Sequence, residues 1–119
     1  MISGQWKDAE EAWNCGLSLY EAGDYPGAIA AYEFAAERNH SCAQVNLGTL
    51  LDDNAVPPDP ERAVFWYQRA VDNGESVAAY NLAIHYEKCA DAELARKWMK
   101  RAAKMGDPDA LEMLSSGEA

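Results

Sequence analysis

Three asparagines recur at one place in this chain. Asn14, Asn46 and Asn81 each stand directly before a run of apolar or small residues, Cys15-Gly16-Leu17, Leu47-Gly48-Thr49 and Leu82-Ala83-Ile84. An asparagine amide carries a donor and an acceptor side by side, so it can pair with both the N–H and the C=O of an extended peptide without reading its sequence. Catalytic chemistry has less to work with. His85 and Cys89 are four apart and could share a metal on one helix, but two ligands do not make a site and no neighbouring Asp, Glu or Cys completes one. There is no glycine-rich phosphate loop, no Gly-x-Ser-x-Gly and no pair of carboxylates with an adjacent base. Cys15 takes the place of Leu47 and Leu82 and is expected to be buried and unreactive. The expectation is a protein with no catalytic residue, no metal and no cofactor.

The elements that must hold the asparagines follow from internal repetition. From Asn14 to Asn46 the offset is 32 residues and from Asn46 to Asn81 it is 35. A second block follows each: Ala28-Ile29-x-x-Tyr32-x-x-Ala35, Ala63-Val64-x-Trp66-Tyr67-x-x-Ala70 and Ala95-x-x-Trp98-Met99-x-x-Ala102, at offsets of 35 and 32. The three odd residues therefore lie in the turn of the second repeat. A period in the low thirties with two blocks is the signature of a helix-turn-helix solenoid. Apolar and small residues recur at three and four, as helices require. Asp24 with Pro26, Asp59 with Pro60 and Asp107 with Pro108 read as capped helix starts, with Ser41 and Asp91 as two further caps. Gly74 and Gly106 read as left-handed helix ends. The spacing predicts helices over 6–22, 25–38, 41–53, 60–73, 76–89, 91–105 and 108–116.

Small residues have a packing reason. A side chain at Gly16, Gly48 or Ala83 would hold the two helices of a hairpin apart, while Ala28, Ala63 and Ala95 supply the small face opposite and Tyr32, Tyr67 and Met99 fill the space one turn on. The architecture expected is all-α, a single solenoid domain over 1–119, with repeats at about 8–40, 41–74 and 76–106 and a capping helix at 107–117.

At these residues the chain resembles the Sel1-like repeat branch of the tetratricopeptide superfamily. The second unit carries the likeness in Ala43-x-x-Asn46-Leu47-Gly48, Val56-Pro57-Pro58-Asp59, Arg62-Ala63-Val64-x-Trp66-Tyr67-x-x-Ala70 and Gly74. The first unit, with Gly23-Asp24-Tyr25-x-x-Ala28-Ile29, is closer to an ordinary tetratricopeptide turn. The resemblance implies an interaction scaffold that grips peptides or protein surfaces on a concave side lined by the first helix of each pair, and it implies that asparagines at this place hold peptide backbone. With Leu47 and Leu51 facing the core, the stripe on that side is Trp13, Asn14, Leu17 and Tyr20; Val45, Asn46, Thr49 and Asp52; Tyr80, Asn81, Ile84 and Glu87. Trp13 and Tyr80 flank Val45 as aromatic anchors, unless Trp13 packs beneath the segment containing Trp6. Trp66 and Trp98 read as core or inter-repeat residues. Arg96, Lys97, Lys100, Arg101 and Lys104 read as a solvated face paired with acids of neighbouring repeats.

Composition narrows the partner. Twenty acids against ten bases give a net charge of -10 in 119 residues, and residues 1–59 carry -8 of it. That argues against a nucleic-acid backbone or an anionic lipid surface and favours a basic protein or basic segment as partner, or none, with the acids serving as a solvated surface that keeps the protein soluble. The leading expectation is an adaptor, a monomer or weakly self-associating. The alternative is an acidic inhibitor or immunity-type protein that blocks a basic enzyme. Three cysteines without metal or disulfide spacing, and no secretory or membrane-spanning stretch, suit a cytoplasmic protein.

Overall fold

The computed structural model describes residues 6–116, and among them it forms seven helices and no strand: α1 (Ala9–Glu21), α2 (Tyr25–Glu37), α3 (Ser41–Asp53), α4 (Pro60–Asp72), α5 (Ser76–Lys88), α6 (Ala92–Lys104) and α7 (Pro108–Ser115). The starts are set by carboxylates that accept a backbone N–H three residues on. Asp8, Asp24, Asp59, Asp91 and Asp107 do this for Glu11, Gly27, Arg62, Leu94 and Ala110 at 2.9 to 3.2 Å. Helix α3 departs from expectation. Its cap is His40, whose Nδ1 accepts the Ala43 N–H at 3.1 Å, and Ser41 is the first helical residue.

The ends repeat one device, a left-handed residue followed by an N–H that reaches five residues back. Gly23, Gly74 and Gly106 take it with φ of 83°, 91° and 96°, and Asn39 and Ala90 do the same work at 68° and 61°. The reaching bonds are Asp24 to Leu19, His40 to Ala35, Glu75 to Ala70, Asp91 to Tyr86 and Asp107 to Ala102, at 2.9 to 3.1 Å. Only the α3–α4 connection is longer. There Asn54 and Ala55 close on Leu50, Asp59 closes on Leu51, and the extra three residues are absorbed.

Two compact units divide the chain, one ending at Trp66 and the other starting at Tyr67. In the first, α1 packs on α2 and α2 on α3. Its core is Ala12, Ala28, Ala31, Tyr32, Ala35, Ala43, Leu47, Leu50 and Leu51, mostly alanines that let the helices approach closely. At Gly16 the approach leaves no room for a side chain: a Cβ there would lie 2.5 Å from Tyr32 Cε1. In the second unit α5 packs on α6 and α6 on α7, around Ala78, Ala79, Leu82, Ala83, Ala95, Met99, Ala102 and Ala110.

One burial expectation needs correction. Cys15 is half-buried, because α1 packs chiefly on α2 and only the line Ala12–Gly16 is fully covered. Trp66 is buried, and Trp98 is half-buried, with the Arg101 guanidinium 5.9 Å from its ring.

Candidate functional site

In the first unit a polar cluster forms where α1 meets the start of α3. Trp13 Nε1 donates to Asn46 Oδ1 at 2.8 Å. The Trp13 ring lies against the His40 imidazole, with centroids 5.0 Å apart. His40 Nε2 is 3.0 Å from Glu10 Oε1. Since Nδ1 accepts the capping N–H, Nε2 must carry the proton and donate it to that carboxylate. Trp13 thus packs against His40, and residues 1–5 of the segment expected to cover it lie outside the described residues. Trp6 instead meets Phe34, with ring centroids 5.3 Å apart, and Arg38 covers the Phe34 ring at 3.5 Å.

The remaining expected residues share these helices without joining the cluster. Asn14 is exposed and, among the described residues, its amide has no hydrogen-bond partner. Leu17, Val45 and Asp52 are half-buried, and Thr49 Oγ1 donates to the Val45 carbonyl within its own helix at 3.2 Å. Tyr20 is 45% exposed and stacks on Tyr25 at 5.6 Å.

In the second unit α5 presents Tyr80, Asn81 and Ile84 half-buried and Glu87 exposed. The Asn81 amide likewise has no partner among the described residues. Tyr80 borders a shallow cavity of about 390 Å³ shared with Asp109, Glu112, Met113 and Ser116. Burial pushes its hydroxyl pKa upward, and the nearby carboxylates of Asp109, Asp107 and Glu87 add to the rise. None of the three asparagine side chains bonds its own helix, and Asn46, held through Oδ1, keeps both amide hydrogens to offer.

His85 is buried, with Cys89 Sγ 3.7 Å from its Nε2. No group of three His, Cys, Asp or Glu that could hold a metal occurs among the described residues. None of the three cysteines is in a disulfide.

Sequence reasoning missed His40 as a member of the site. The signal was there in a histidine directly before Ser41-Cys42-Ala43, one residue ahead of a helix start, where a side-chain acceptor is needed. It also assigned acidic partners to the basic residues of α6, and no such ion pair occurs among the described residues.

The helix pairs, their repeated caps and ends, and the small-residue contact at Gly16 define an all-α helical-repeat protein. A family model of the Sel1 repeat matches residues 43–75 and 76–107, more than half of the chain, and the chain belongs to the Sel1 repeat family. Among solved structures it is similar to c5321, a protective antigen present in uropathogenic Escherichia coli strains and displaying an SLR fold. The TM-score is 0.74 and the identity 29%, over 87% of this chain and 24% of that one. The chain therefore spans about a quarter of that protein's length. No curated protein matches. Sel1-like repeats generally mediate protein–protein interaction, and no helix among the described residues is long and apolar enough to cross a membrane.

Proposed function

We propose that this chain is a non-enzymatic adaptor that holds an extended segment of a partner protein along the first helix of each pair. The observation that carries this reading is the set of matched asparagines on α1, α3 and α5, whose amides leave their own helices alone and, at Asn46, are presented by Trp13. Each would pair with one peptide group of the partner. Trp13, Leu17 and Tyr20 with Val45, Thr49 and Asp52 would flank the segment in the first unit, and Tyr80, Ile84 and Glu87 in the second. The acidity of the first half favours a partner with Lys or Arg beside an apolar anchor. Cysteines outside any disulfide fit a cytoplasmic setting.

Selection from a random-peptide display library tests this directly. Enriched peptides should be extended, apolar and basic, and Asn46→Ala should weaken them by about 1 to 3 kcal/mol. A library that yields no binder, while a folded basic enzyme is captured and loses activity, would favour the second reading, an acidic inhibitor, to which the same charge points.

A further inference from the structure

Helix α6 is at odds with the charge of the rest of the protein. Ala95, Met99 and Ala102 form its buried line. Arg96, Lys97, Lys100, Arg101 and Lys104 are all exposed on the other side. Glu93 is its single acid, so these 13 residues carry a net +4 within a chain of -10. Among the described residues none of the five bases makes an ion pair, in contrast to Arg62, which is paired with both Glu33 and Asp59. The spacing compounds the cost: Arg96 with Lys100, Lys97 with Arg101 and Lys100 with Lys104 are like charges at i,i+4, each disfavouring the helix, against one favourable pair from Glu93 to Lys97. The helix dipole accounts for bases in the last turn only. Trp98 adds an apolar flank, and the face borders an open depression of about 570 Å³.

A complementary surface exists in the same molecule. The unit ending at Trp66 holds eleven carboxylates against three bases, with Glu10, Glu11 and Glu21 exposed along α1. We propose that the basic face of α6 docks the acidic first unit of a second copy of this chain. The two patches differ, so each contact pairs α6 of one copy with the first unit of another. The repulsion between two chains of -10 does not prevent it near physiological salt. Charges more than about 8 Å apart are then largely screened, and the charges in contact decide the outcome.

Sedimentation velocity of the full chain, from micromolar to submillimolar concentration, tests this. In about 0.1 M salt the weight-average sedimentation coefficient should climb with concentration, and in about 0.6 M salt it should stay flat. Lys97→Glu with Lys100→Glu and Lys104→Glu should weaken association at least about ten-fold. Glu10→Lys with Glu11→Lys and Glu21→Lys should do the same, and mixing the two variants should restore it. Circular dichroism checks that each variant is folded, and the milder Lys→Gln set at 97, 100 and 104 replaces the first if it is not. A wild type that stays monomeric throughout overturns the proposal, as does undiminished association of the α6 variant or a mixture that fails to associate. Retention of a duplex DNA oligomer or an anionic vesicle by a chain that remains monomeric would also overturn it.

Discussion

Trp13 and Asn46 are joined by a hydrogen bond of 2.8 Å across 33 positions of sequence, linking α1 directly to α3. One of the three repeated asparagines is therefore part of the scaffold as well as of the candidate surface. Its carbonyl oxygen is used inside the protein, while its NH2 group keeps two hydrogens for a ligand. Asn14 and Asn81 hold no such internal bond, so the three equivalent positions are not equivalent in what a substitution would do.

Asn46→Ala should lower stability by about 0.5 to 1.5 kcal/mol, the net worth of a hydrogen bond. Trp13→Phe removes the donor of the same bond, and a double-mutant cycle in urea should return a coupling of that size. Asn14→Ala and Asn81→Ala should stay within about 0.5 kcal/mol of wild type, since neither breaks a native bond. Coupling close to zero would mean that the Trp13–Asn46 bond is not made in solution.

Much of this fold was legible because helix ends are local. Asp24, Asp91 and Asp107 cap by reaching three residues on, and Gly74 and Gly106 adopt a conformation that glycine favours, so the sequence alone marks those boundaries. Ends built on Asn39 and Ala90 were harder to read, since neither residue type demands a left-handed φ. The family likeness was legible because it rests on spacing. The His40 cluster was not, because it depends on Glu10 and Trp13 meeting a residue about thirty positions away, which no local pattern encodes. The lack of ion-pair partners for α6 among the described residues was missed for a related reason: a family position predicts which way a side chain points, not what stands across from it.

Gly16→Ala should destabilise by about 1 to 3 kcal/mol despite alanine's better helix propensity, because the new methyl would sit 2.5 Å from the buried Tyr32 ring. Tyr32→Leu vacates that space. In the Tyr32→Leu background the same glycine substitution should cost far less, and thermal melts of the four proteins measure the difference. An unchanged cost would place the strain elsewhere than the α1–α2 contact.

Ala90 holds φ at 61°, a region that costs an L-residue with a Cβ about 1 to 2 kcal/mol. Ala90→Gly relieves that strain but gives the unfolded chain more freedom, and the net expectation is a gain of about 0.5 to 1 kcal/mol. Gly74→Ala, at φ 91°, is the mirror experiment and should lose stability. Parallel shifts of the two variants in chemical denaturation would contradict the assignment of these residues as left-handed helix ends.

Tyr32 links the packed core to pH. The residue is 2% exposed, and its hydroxyl pKa is pushed up to about 12, first by burial and then by Tyr20 and Glu21. A folded-state pKa above the unfolded value of 10.0 means that the native state keeps a proton which the unfolded chain has already released. The contribution is therefore complete below pH 10 and is lost as pH rises from there through about 12, amounting to roughly 2 to 3 kcal/mol at the end. Tyr80 and Tyr86 are raised in the same direction and titrate in any variant, so Tyr32→Phe isolates the one residue. Urea unfolding of both proteins between neutral and strongly alkaline pH should show wild type losing stability more steeply than Tyr32→Phe above pH 10, with the two curves parallel below it. Curves that stay parallel throughout would show that the Tyr32 hydroxyl reaches solvent in the native state.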